Sequence, residues 1–255
     1  RAASKSELIY SGVSWAVVDT SSVGVLRPVW INGTLTISSD FVSIVGINCN
    51  TLALTVAGAS NKYSNIVATT AITSSATDAG TWYDVHSLLF LGAGASMDGY
   101  YEKCTTGTRG FASSSTGTAG NIGGVMLDCI CGSGGGFAST SNSGSNGGNI
   151  TGTLKRCTSG SNSFASSALG AGTGGEISGT LIDCKISGSS GQSYASGVGT
   201  GGTGGIISGN LYDCKGGSSS TTDFASGYTQ GGTISGNLHR CTGRSIAFAS
   251  ASDAG

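Results

Sequence analysis

The chain has 255 residues, of which 46 are glycine and one is proline; 12 are Lys or Arg and 13 Asp or Glu, for a net charge of −1. Near-neutrality leaves no basic stripe to neutralise phosphates, so no nucleic-acid partner is expected. No apolar run reaches the ~18–20 residues of a bilayer-crossing helix, so no transmembrane segment is expected either. So much glycine with so little charge resembles a disordered linker. Disorder, however, goes with low hydrophobicity and high net charge, and 38% of these residues are apolar, so a folded chain with a core is expected. The chain opens on Arg1 rather than Met, as a processed or partial chain would.

In chain order, "VWINGTLTISSDFVSIVGIN" (Val29–Asn48) predicts two short strands around a Ser-Ser-Asp turn, and "TLALTV" (Thr51–Val56) a third. A capping element is expected near Trp15 or Trp30. Residues 1–96 hold only 8 glycines against 38 in residues 97–255, so the composition shifts near residue 96. The first segment, 1–96, reads as irregular rungs with a cap, and the second, 97–255, as regular Cys- and Gly-rich rungs.

Beyond residue 96 the sequence repeats. Met97–Cys104, Ile122–Cys129, Ile150–Cys157, Ile177–Cys184, Ile207–Cys214 and Ile234–Cys241 all follow I-x-G-x-L-x-[D/R/K]-C, with Met or Tyr as substitutes. Their cysteines lie 25, 28, 27, 30 and 27 residues apart. Seven to ten residues after each comes an aromatic followed by Ala: Phe111, Phe137, Phe164, Tyr194, Phe224 and Phe248. A period of 20–50 residues indicates a solenoid. Within each segment apolar residues alternate with Ser, Thr or Asn, the signature of a half-buried strand, and the glycine density opposes a helix. With no helical pattern between strands, the chain is expected to be all-β, each repeat one rung of a parallel β-solenoid.

Stacked rungs place equivalent residues above one another. Cys104, Cys129, Cys157, Cys184, Cys214 and Cys241 are expected to form one inward column, and the six aromatics a second that lies over the space left by the inward glycine. Glycines elsewhere mark corners, and spacers such as "SGSNGGN" would bulge from one edge. Cys49 stands outside the cysteine column. Eight cysteines permit disulfides, but in-register Cβ vectors run parallel, which suits a disulfide dihedral poorly; buried free thiols are the expected state, and the wide spacing fits no zinc site.

"GTLTISSDFVSIVGIN" resembles the opening coils of right-handed parallel β-helix proteins of the pectate-lyase-like class. The "GG.ISG.L.DC" rungs are similar to coils of viral tailspikes and microbial surface adhesins. The resemblance implies a right-handed β-helix with rungs of about 25–30 residues. That class includes lyases, tailspikes, adhesins and filaments, so it does not fix function.

The residue before each cysteine is charged: Lys103, Asp128, Arg156, Asp183, Asp213 and Arg240. Four of the five neighbouring pairs would attract, as an exposed corner ladder of ion pairs. The exception, Asp183 over Asp213, comes with Lys185 and Lys215 two residues on. Two stacked carboxylates could raise one pKa or cage Ca²⁺, and the resemblance implies acidic metal ligands and a basic proton acceptor in lyases. These four residues are the weak catalytic candidates; the flanking lysines compensate the pair without any metal. No metal site or cofactor is expected. His86 and His239 have no partner in a recognisable spacing. The outward Thr151/Thr153, Ser178/Thr180, Ser208/Asn210 and Ser235/Asn237 form a flat face whose array degrades, which weakens an ice-binding reading. Asn32 and Asn149 begin glycosylation sequons.

"IAFASASDAG" shows neither an amphipathic helix nor a charged strand, so an open end is expected there, suited to stacking on another chain. The chain therefore reads as a non-enzymatic structural or adhesive rod, extracellular or on a cell or virion surface. Its expected partner is itself, with surface glycans as a further partner. The alternative is a tailspike-like protein that binds or cleaves polysaccharide.

Overall fold

A computed structural model describes residues 8–10, 14–17, 29–38, 43–55, 61–74, 77–90, 95–160, 164–188, 194–197, 199–217, 223–243 and 248–249. Over these residues the protein is all-β, with no helix. Seventeen strands join one sheet; Thr140–Ser143 with Ser167–Leu169 form a second, and Glu176–Ile177, Ile206–Ile207 and Thr233–Ile234 a third. Leu8–Tyr10 and Ser14–Val17 pair antiparallel at the N-terminal edge, with Trp15 opposite Tyr10. Every other strand pairing among the described residues is parallel, and it links each strand to its equivalent one repeat away.

The alternation in the sequence sets which side chains go inward. Tyr100–Glu102, Val125–Leu127, Thr153–Lys155, Thr180–Ile182, Asn210–Tyr212 and Asn237–His239 pair in that order. Their central residues Tyr101, Met126, Leu154, Leu181 and Leu211 are fully buried. Burying each such side chain stabilises the fold by roughly 1.5–3 kcal/mol. The next residue but one, just before the cysteine, turns the chain in the left-handed region: Lys103, Asp128, Arg156, Asp183, Asp213 and Arg240 have φ of 51–55°. Asn65 and Asp84 adopt the same conformation below them. Asn and Asp tolerate it through their short polar side chains; for Lys and Arg it costs about 1–2 kcal/mol, which the surrounding pairing offsets. A second short strand follows the first four of these corners: Thr105–Thr106, Ile130–Cys131, Thr158–Ser159 and Lys185–Ile186.

The glycine of I-x-G-x-L has a different cause from the one its sequence suggests. A Cβ at Gly152 would lie 2.0 Å from the carbonyl oxygen of Gly124, and one at Gly179 2.0 Å from that of Gly152. Adjacent backbones approach so closely that no side chain fits; the aromatic rings do not lie over a space there. The aromatics form their own column, Phe111 to Phe137 to Phe164 to Tyr194 to Phe224 to Phe248, with centroids 4.7–5.2 Å apart and ring planes within 17°. Each stacked pair adds about 0.5–1.5 kcal/mol beyond its burial. The alanine after each ring is also left-handed, and its carbonyl accepts the N–H of the glycine that re-enters the frame. Gly148 bonds Ala138 at 2.9 Å, Gly175 bonds Ala165 and Gly205 bonds Ala195 at 2.7 Å, and Gly232 bonds Ala225 at 2.6 Å. Each spacer is thus pinched shut at its base.

The same columns run below residue 96, where the sequence gives no repeat. Phe111 pairs with Phe90, Phe90 with Ile72, Ile72 with Leu52 and Leu52 with Leu35. Pairings cross the composition shift, as Asp78 with Met97 and Thr81 with Tyr100. Repeats are shorter there: Val67, His86 and Thr105 pair at 19-residue offsets, whereas Leu154, Leu181 and Leu211 are 27 and 30 apart. The expected rung of 25–30 residues therefore applies above Thr105 only. Val29–Ile37, Ser43–Val45 and Ile47–Leu54 are strands, so Asn48 and Leu54 share one strand rather than two. Residues 39–42, which include most of the expected Ser-Ser-Asp turn, and residues 250–255 lie outside the described residues. Trp15 and Trp30 both lie within strands.

Candidate functional site

Of the four attractive corner pairs expected, two close into contact. Arg156 donates through Nε and Nη2 to both carboxylate oxygens of Asp128, at 2.6 and 2.7 Å, and Arg240 does the same to Asp213, with Nη2 at 2.7 Å. These guanidiniums hold both carboxyls below the usual carboxylate range. Lys103 instead donates to the Tyr83 hydroxyl at 3.0 Å, with its Nζ 5.0 Å from that ring's centroid, and it sits 4.0 Å from Glu102. Asp213 is tied to Arg240, while Lys185 and Lys215 pair in register beyond the corner, on the following strand. Among the described residues no group of three or more His, Cys, Asp or Glu side chains is placed to hold a metal.

All eight cysteines are free thiols, and all but Cys241 are buried. Above Cys104, each thiol of the column donates to a carbonyl of the repeat below: Cys129 to Tyr101, Cys157 to Met126, Cys184 to Leu154, Cys214 to Leu181 and Cys241 to Leu211, at 3.4–3.6 Å. Burial pushes Cys129, Cys157 and Cys184 well above the ordinary thiol value. Cys214 is pushed up to about 12, first by its hydrogen bond with Cys184. Such thiols are inert as nucleophiles. Cys49 belongs to another column: it pairs with Ala68, Ala68 with Ser87, Ser87 with Thr106 and Thr106 with Cys131. Burial alone raises Cys49 to about 11 and, as the leading cause, Cys131 to about 12.

Two polar clusters in the shorter repeats escape sequence reading. His86 does have partners: its Nε2 lies 3.2 Å from Asp84 Oδ1, and its Nδ1 makes a short hydrogen bond with Thr105 Oγ1, 19 residues on. The cluster borders a groove of about 260 Å³ walled by Val67, Thr69 and Leu88. Asp78 occupies the column position that Met97, Ile122, Ile150 and Ile177 fill above it. It is fully buried and accepts from the Tyr101 hydroxyl, from Trp82 Nε1 at 2.7 Å and from the Gly80 amide. Burial nonetheless outweighs these donors and raises its pKa.

The outward face presents Thr153, Thr180, Asn210 and Asn237 in register, with Asn237 Nδ2 donating to Asn210 Oδ1 at 2.8 Å. Asn32 accepts from Asn50 Nδ2 at 3.3 Å. Asn149 is exposed, its backbone N–H donates to Asn121 Oδ1 at 2.8 Å, and its own Oδ1 accepts the Glu176 N–H at 2.9 Å. Both sequon asparagines are thus partnered across repeats. Asn149 also borders a groove of about 420 Å³, with Asn146, Thr173, Glu176 and Ile206 around a glycine floor. Compared with protein-family profiles, curated proteins and solved structures, the chain matches none.

Proposed function

We propose that the chain is a right-handed parallel β-helix that serves as a non-enzymatic structural or adhesive rod on an extracellular, cell or virion surface. The observation that carries this reading is the register of its columns, in which ring lies over ring and thiol over carbonyl. Such stacking makes a stiff spacer that resists local opening. Among the described residues, Ile234, Leu238 and Cys241 are partly buried and Phe248 is 47% exposed. Copies stacked head to tail with their columns aligned would extend the same register. That contact is heterologous, so it propagates into a filament. Electron microscopy of the purified chain over a concentration series is expected to show rods that lengthen, and Phe248→Asp is expected to shorten them. A compact, monodisperse monomer at high concentration would remove the filament.

The groove beside Asn149 and Glu176 favours glycan binding as a second reading, since amides and a carboxylate around an apolar residue suit sugar hydroxyls and a sugar face. Cleavage is the less supported half of that reading, because Asp213 is already engaged by Arg240. Calcium-dependent lyase activity that is lost in Asp213→Ala would reinstate it.

A further inference from the structure

Arg109, Ser113, Ser114 and Ser115 of one repeat and Gly134, Ser139 and Ser141 of the next enclose a cavity of about 20 Å³. Three of its hydroxyls belong to buried serines: Ser113, Ser114 and Ser139 are 7%, 6% and 1% exposed. Their hydrogen bonding is lopsided. Ser113 Oγ accepts the Gly110 N–H at 2.9 Å, and Ser114 Oγ accepts those of Thr116 and Gly117 at 3.3 and 3.0 Å. Among the described residues neither hydroxyl donates its own proton. Ser139 is odder still. The serine after the aromatic-Ala pair accepts an N–H from three residues earlier in other repeats, Gly110 to Ser113 and Asp223 to Ser226. Ser139 Oγ, in the same position, has no partner at all among the described residues.

A buried hydroxyl left unpaired is costly, so an orphan of this kind calls for an explanation, and one at a cavity wall points to an unseen water or ion. The residues around the cavity are serines, one glycine and Arg109, an exposed residue and the one charged residue among them, with no carboxylate. Donors converging with a positive charge select an anion. The volume suits a single water or a monatomic ion and excludes sulfate or a sugar. A water would donate to Ser139 Oγ as well as accept, whereas a halide takes donors only, so dependence on chloride tells the two apart. We propose that this cavity is a binding site for a small monovalent anion of the halide class, chloride for example. The ion would staple one repeat to the next at the point where short repeats give way to long ones.

The test compares thermal unfolding of the full chain in sodium chloride and sodium gluconate at equal ionic strength, with chloride-35 line broadening as a direct readout. The expected result is a saturable rise of Tm with chloride and a matching broadening. Arg109→Gln is expected to weaken binding by about tenfold or more, as loss of a charged donor does. Ser139→Ala should weaken it too, while Arg156→Gln, remote from the cavity, should leave the salt difference intact. Equal Tm in both salts with no broadening would overturn the proposal and leave a water in the cavity. So would a Ser139→Ala protein that gains stability equally in both salts, since the orphan hydroxyl would then be only a cost.

Discussion

Repeats below and above Thr105 share their columns but fill them by opposite means. Above it, the cysteine and aromatic columns each repeat nearly one residue type, and the rings of Phe137, Phe164, Tyr194 and Phe224 lie within 3° of parallel. Below it, neighbours differ: Tyr63 stacks on Trp82 at 22°, Trp82 meets Phe90 edge-on at 74°, and Phe90 meets Tyr101 at 84°. The upper half needs only one solution, propagated. The lower half solves each interior separately, and a buried carboxylate is the extreme case. The frame therefore specifies position and size, whereas identity is free wherever neighbours compensate.

The largest effect expected from disturbing this contrast is in the aromatic column. Phe164→Ala removes a ring packed on both faces and should cost about 3–5 kcal/mol, read as a shift in denaturant midpoint. Gly179→Ala comes next, at about 1–3 kcal/mol or more from backbone overpacking. An Ala that is tolerated there would mean the backbones are not held in contact. In the lower half, Trp82→Phe deletes a donor to buried Asp78 and should cost about 1–3 kcal/mol.

Asp78 also carries a pH dependence with a definite sign. Its pKa is raised in the folded state, so the folded chain retains a proton that the unfolded chain releases. Stability from this group is greatest below the ordinary carboxylate pKa of about 4 and falls as pH rises towards the raised value. Asp78→Asn should flatten that slope in urea melts taken across the interval. Asp128 and Asp213 have the opposite sign, since their lowered values confer stability at neutral pH that disappears on acidification. Being exposed, they should contribute least, and Asp213→Asn is expected to leave the thermal midpoint almost unmoved.

What the sequence makes legible follows the same division. The upper columns could be aligned because Cys and Phe recur on one spacing, and alternation around Leu154 or Leu181 shows which side faces in. Leu35, Leu52, Ile72 and Phe90 form the same column as Phe111, yet four different contexts and shorter offsets hide it. The partner of His86 was invisible because Thr105 lies a repeat away and resembles nothing near it. The charged corner residues were legible as a ladder but not as left-handed turns. The orphan at Ser139 has no sequence signal, because the same Ala-Ser pair satisfies its hydroxyl elsewhere.

The glycine-to-alanine bonds that pinch each spacer close its base and leave its tip outside the frame. Between Ala138 and Gly148 the chain leaves and re-enters the frame through one such bond, and at its apex Gly144 faces open space. Extra length introduced at that apex meets open space, while Thr140–Ser143 beneath it stays paired with Ser167–Leu169. The flank is therefore a place where peptides can be grafted, at the spacing of the repeats, with the stiffness of the shaft unchanged.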